Sequence, residues 1–183
     1  MKFLVLGIDQ SITQTGLALY RVPGDERMIE CDSFASRGAS NDDKCHSFGA
    51  RIKERLGPLA KRKELAFVCW EQARGDLSAY AASAQQLLLP EIQGQIRQFC
   101  IDYRIPYEAV PTSTWRGALW PGYGHISRPE AKAKAKEYCR LLGIKASNEN
   151  EAEAACIARW AATCSQRFKM LRFRLEAEAE AAA

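Results

Sequence analysis

Apolar and polar positions along this chain follow two spacings. Lys2 to Asp9 is a short apolar run with β-branched members, and Gly16 to Val22 is a second, joined through a Ser/Thr/Gln segment; together they predict two paired strands around a polar turn. Met28 to Phe34, after the turn residues Pro23, Gly24 and Asp25, predicts a third strand, so the chain opens as an antiparallel meander. From Asp42 to Lys63, Phe48, Ile52, Leu56 and Leu59 recur at helical spacing, and Gly57-Pro58 should distort the last turn. Leu65 to Glu71 predicts the next strand. Leu88, Ile92, Ile96 and Phe99 mark a helix within Ala79 to Tyr103, and Tyr107 to Val110 predicts a strand that Pro111 stops. Ser127-Arg128-Pro129-Glu130 is a capping box that opens a helix, which Gly143 closes. Asn148 to about Phe168 predicts the last long helix, with a small-residue face of Ala154, Ile157, Ala158 and Ala161. Residues 171–183, which end in a Glu/Ala repeat from Leu175, predict a frayed tail.

Strands alternating with helices after an antiparallel start predict an α/β fold: a mixed five-stranded sheet flanked by helices, in a single domain over residues 1–170. The 183 residues suit one core. The longest apolar run, Phe3 to Leu6, falls far short of the ~20 residues a bilayer needs, which predicts a cytoplasmic protein with no membrane partner. Seven cysteines, an odd number without a Cys-x-x-Cys pair, indicate neither a disulfide framework nor a zinc cluster. A formal charge of +4 is too small to identify a ligand by itself.

The placement of the acids says more. Asp9 ends an apolar strand in Gly7-Ile8-Asp9-Gln10-Ser11, and Glu71 ends another, so two carboxylates can emerge at one rim of a sheet. Capping of the following turn is the alternative for Asp9, and pairing with Arg74 the alternative for Glu71. A third acidic point is Asn148-Glu149-Asn150-Glu151-Ala152-Glu153, where helical spacing lets Glu149, Asn150 and Glu153 share a face while Glu151 is rotated away. First-turn acids also stabilise a helix through its dipole. Three acidic points of this kind are what oxygen-liganded cations such as Mg²⁺ require, and two such ions can drive phosphodiester cleavage.

Gly7-Ile8-Asp9-Gln10-Ser11 with Thr15-Gly16, Glu71-Gln72 closing a strand, and Asn150-Glu151-Ala152-Glu153-Ala154 opening a helix resemble the RuvC family of Holliday-junction resolvases, especially its phage and prophage members. The resemblance runs from about residue 3 to residue 163. It implies a ribonuclease-H-like fold, a homodimer, and Mg²⁺-dependent symmetric nicking of branched DNA with two ions per site, for which Mn²⁺ can substitute. Asp9, Glu71 and Glu153 fall on three of the four acidic positions of the family, and Asn150 on the fourth. The family usually has aspartate where this chain has Asn150 and Glu153, so a formal charge is missing, and Glu149 is a candidate to replace it. The alternative is a junction-binding protein whose cleavage is weakened or absent.

The basic residues suit a DNA ligand. Arg116, Arg128, Lys132, Lys134 and Lys136 follow Trp115; the candidate DNA contacts are Arg74, Trp115, Arg116, Arg128, Lys132 and Lys136, and the resemblance implies junction binding by basic residues of this region, Arg116 and Lys132 being the closest positional counterparts. The lysines step by two and therefore spread around their helix. Trp115, Trp120 and Tyr123 around Pro121-Gly122 predict a loop able to stack on unpaired bases, with core packing open for both tryptophans. His46 and His125 are isolated. Gly7-Ile8-Asp9 with Ser11 and Thr15-Gly16 also resembles the first phosphate loop of actin-like phosphotransferases, which need two such domains.

Overall fold

The structure, a computed structural model, describes residues 2–11, 13–72, 84–122 and 126–181, the side chains of 84–87 excepted. Its strands are β1 (Phe3–Asp9), β2 (Thr15–Val22), β3 (Glu30–Phe34), β4 (Leu65–Glu71) and β5 (Tyr107–Val110). They form one sheet in the order β3-β2-β1-β4-β5, antiparallel across β1, β2 and β3 and parallel from β1 through β4 to β5. The helices are α1 (Asn41–Lys61), α2 (Ala84–Asp102), α3 (Thr112–Leu119), α4 (Arg128–Leu142), α5 (Glu149–Thr163) and α6 (Gln166–Ala181). The mixed five-stranded α/β architecture is the expected one.

Because side chains alternate across a strand, β1 and β4 each feed two cores. Leu4, Leu6 and Ile8, with Val68 and Trp70, pack against Phe48, Ile52 and Leu56 of α1 and Ile92, Ile96 and Phe99 of α2. Phe3 and Val5, with Phe67 and Cys69, pack against α5 and α6 on the opposite face. The odd-numbered parity continues to Asp9 and Glu71, so both acids leave the sheet on the α5 side. The α2 stripe is core: Leu88, Ile92, Ile96 and Phe99 are all buried.

Several boundaries differ from expectation for local reasons. α1 stops at Lys61, two residues short of the expected Lys63, with Pro58 inside its last turn. The stretch expected as an aromatic loop forms α3, followed by Trp120 as its cap. The expected last helix breaks at Cys164 and Ser165, and the segment expected to fray is helical to Ala181. There Phe168 and Leu171 bury against the sheet, Phe168 lying edge-on to Phe3 and tilted on Phe67, which stabilises a helix that its low-complexity end alone would not. The capping box at Ser127 and the left-handed Gly143 terminate α4 as expected.

α5 lies directly on the backbone of β1 and β2. A Cβ at Gly7 would overlap the Ala154 carbonyl and the Ala158 amide, and one at Gly16 would overlap the Asn150 carbonyl. Alanines at 154, 155, 158 and 161 complete this close packing and are fully buried. Gly94 in α2 has open space where its side chain would be. Gly16→Ala is therefore expected to lose about 3 kcal/mol of unfolding free energy through backbone displacement, whereas Gly94→Ala gains about 0.5–1 kcal/mol from helix propensity; urea denaturation of the two variants checks both signs.

Candidate active site

The site is assembled by the end of β1, the end of β4, the first turns of α5, and α3. Glu153 is one residue before Ala154, the residue in backbone contact with Gly7, so the helix that Gly7 admits carries its carboxylate to the rim where Asp9 emerges. Burial, followed by the like charges of Glu153 and Glu71, holds the Asp9 carboxyl well above the usual carboxylate range, against the opposing pull of Lys132 and Arg128. Burial also raises Glu153, with Arg116 opposing and Glu71 reinforcing the shift. The acids chosen from sequence at 9, 71 and 153 thus act on one another through space. No described residue donates a hydrogen bond to the Asp9 carboxylate.

α3 supplies the counterpart. Trp115 Nε1 donates to Glu71 Oε2 at 3.1 Å, and Arg116 Nη2 donates to Glu153 Oε1 at 3.0 Å. The Arg116 guanidinium also lies 5.1 Å from the Trp115 ring centre. Adjacent residues of one short helix therefore hold acids from two different elements. The Arg116–Glu153 pair is nearly enclosed, with side chains 11% and 9% exposed, and Arg116 Nε is buried without a partner among the described residues. Gln10 and Gln93 both donate their side-chain amides to the Glu71 carbonyl, Gln93 at 2.8 Å, which anchors the end of β4. Neither glutamine stood out in the sequence, because an amide that supports a backbone carbonyl has no spacing signature.

Trp115 departs from the DNA-stacking role expected of it: it is fully buried, packed edge-to-face on Trp120 with ring centres 5.1 Å apart, and turned to Glu71. Arg116, expected on phosphate, is committed to Glu153. Lys132 pairs with Glu149 at 2.9 Å and also acts on Asp9 and Glu153. Glu149 is accordingly held below its usual value by that lysine and is half exposed, engaged outside the acidic cluster. Arg128 and Lys136 are exposed on α4, and Arg128 reaches Asp9 and Glu149 only through its charge. Arg74, Tyr123 and His125 lie outside the described residues, and His46 is exposed on α1.

Asn150 donates its amide to the Gln14 carbonyl at 2.8 Å, tying α5 to the turn between β1 and β2 and leaving its own Oδ1 available. Glu151 points away from Glu153, as its spacing requires. It is buried and satisfied, accepting from Ser33 Oγ at 2.7 Å, Ser147 N at 2.7 Å and Asn148 Nδ2 at 2.8 Å. Its position is structural, joining β3 to the start of α5. Among the described residues, no three His, Cys, Asp or Glu side chains stand grouped as a ready set of metal ligands.

Two outcomes follow from this electrostatics in metal-free protein. The folded state holds the Asp9 proton more tightly than the unfolded chain, whose value is near 3.8. The resulting stabilisation is complete below that pH and is lost as pH rises through the elevated folded value. Asp9→Asn is therefore more stable than wild type at neutral pH, and the difference closes in acid; denaturation midpoints across pH measure it. Arg116→Met strands a buried carboxylate and costs about 3 kcal/mol, most of which returns in the Arg116→Met/Glu153→Gln double variant.

No family model and no curated protein matches the chain. Solved structures do. Thermus thermophilus RuvC in complex with a Holliday junction substrate superposes with a TM-score of 0.61 at 18% identity, over 94% of this chain and 96% of that one. The yeast mitochondrial Holliday junction resolvase Ydc2 gives 0.56 at 11% identity, over 98% and 84%. The Fowlpox virus resolvase bound to Holliday junction DNA gives 0.53 at 11% identity, over 87% and 97%. The mixed five-stranded sheet flanked by helices is thus the fold shared with RuvC and other Holliday junction resolvases.

Proposed function

We propose that this chain is a Mg²⁺-dependent endonuclease that resolves Holliday junctions and related branched DNA by symmetric nicking. The observation that supports the reading is geometric: Asp9 and Glu71 end the adjacent parallel strands β1 and β4 on the side that α5 covers, and adjacent residues of α3 bond Glu71 and Glu153. Like charges assembled this way, with Asp9 lacking any described donor, are the chemistry of a cation site. The junction DNA in the matched Thermus and Fowlpox structures supports branched DNA as substrate.

Asp9, Glu71, Glu153 and the free Asn150 Oδ1 are the oxygen donors that would hold two Mg²⁺ ions, or Mn²⁺ in their place. When bound, such ions supply water activation and charge stabilisation at the departing oxygen. Trp115 fixes one Glu71 oxygen, and Arg116 shares Glu153, so α3 sets the orientation of both acids. Lys132 and Arg128 place positive charge beside Asp9, and Lys136 places it beside Glu149, where a phosphate backbone would approach. Two copies of the chain would set two such sites against two strands of one junction.

Two observations favour a second reading, a junction binder with weak or absent cleavage: Asn150 stands where a further acid would add charge, and one Glu153 oxygen is already taken by Arg116. A single assay separates the two. With a labelled four-way junction and Mg²⁺, wild type yields paired nicks, and Asp9→Asn loses at least ~10³-fold in rate while keeping junction affinity. Binding without product across Mg²⁺ and Mn²⁺ titrations establishes the binder, and equal cutting by wild type and variant overturns the site.

A further inference from the structure

Away from the acids, α6 and the turn before β5 enclose a groove of about 1020 Å³. One wall is a stripe of α6 at helical spacing, Arg167, Met170, Leu171, Arg174 and Glu178, with Phe173 at its margin; the other is the end of α2 and the turn from Arg104 to Tyr107. Three of the five large apolar side chains most exposed among the described residues gather here: Ile101 at 54%, Met170 at 70% and Phe173 at 72%. An apolar cluster of this kind on a surface otherwise rich in charge marks an interaction site.

The charge around the groove identifies its occupant. Arg104, Arg167 and Arg174 rim it, against one acid, Glu178. Glu178 lies 3.7 Å from Arg174, which leaves Arg104 and Arg167 without a carboxylate among the described residues. Arg167 is parked over the Tyr107 ring at 5.5 Å, and the Arg104 backbone is in the left-handed region, which fixes the turn that presents it. A second copy of α6 is a poor complement, because its Glu176 and Glu178 are already paired within the helix to Arg172 and Arg174. A nucleic acid backbone would use the arginines and leave the apolar floor in water. Carboxylates interspersed with bulky apolar side chains satisfy both.

We propose that this groove docks an acidic peptide segment of a partner protein, its carboxylates meeting Arg104 and Arg167 and its apolar side chains entering between Ile101, Met170 and Phe173. The groove opens beside Tyr107, which pairs with Val68, whereas Glu71 pairs with Val110 at the other end of β5. A bound segment therefore leaves the acidic rim open, and the proposal is independent of the chemistry at that rim.

The probe is a random peptide library of about twelve residues, panned against the full chain, with the enriched peptides measured by fluorescence anisotropy. The expected result is enrichment of Asp and Glu together with Phe, Leu or Trp, and binding that weakens at least ~10-fold in Arg104→Glu and in Phe173→Ser. Both altered side chains are exposed at the surface, and thermal melting confirms that the variants fold. No enrichment, enrichment of basic sequences, or binding that survives both substitutions overturns the proposal. So does concentration-dependent self-association that Phe173→Ser abolishes, which would make the groove a contact between copies, and so does competition by duplex DNA that Arg104→Glu abolishes.

Discussion

The structure depends on how closely α5 approaches the backbones of β1 and β2. Gly7 and Gly16 remove the side chains that would stand between helix and sheet, and Ala154 and Ala158 keep the helix side equally small. Ordinary helix-on-sheet packing leaves a layer of side chains between the two backbones; here the Asn150 and Ala154 carbonyls meet strand Cα positions directly. That proximity places the first turns of α5 at the level where β1 ends, and it is the reason Glu153 and Asp9 share one electrostatic environment.

Convergence of this kind has a cost. Like charges in partly desolvated surroundings raise one another's proton affinity, which destabilises the ionised folded state. The fold offsets it from α3. Arg116 neutralises Glu153 and Trp115 satisfies Glu71, while Asp9 has no donor among the described residues. The first turn of α5 then sorts its acids by direction. Glu149 faces Lys132 at the surface, Glu151 is sealed into a network with Ser33, Ser147 and Asn148, and Glu153 alone joins the rim. Helical rotation turns Glu151 about 200° from each of the other two, whereas Glu149 and Glu153 share a face and differ in partner, Lys132 for one and Arg116 for the other.

The two cores divide the work of holding this arrangement. α1 and α2 brace the even-numbered face of β1 and β4 with large apolar side chains, including Phe48, Ile52, Ile92 and Ile96. The odd-numbered face receives the alanine helix and, beyond it, Phe168 of α6. Such unequal partners let one face supply bulk while the other supplies proximity. α6 secures the far end of that second face through Phe168 and Leu171 and leaves Met170 and Phe173 outside.

By itself the sequence determined the order of the five strands, the helices α1, α2, α4 and α5, and the capping of α4, and it singled out the acids at 9, 71 and 153, because alternation, helical spacing and run-ending charges are local signals. What the tertiary structure decided was partnership. Whether Trp115 meets a base or Glu71, whether Arg116 meets a phosphate or Glu153, and whether the Ala/Glu end of α6 frays or stays helical all depend on surfaces distant in the chain. A hydrogen bond or a desolvated ion pair between residues 37 positions apart leaves no periodic trace, since its energy comes from the low-dielectric enclosure that only the packed fold creates.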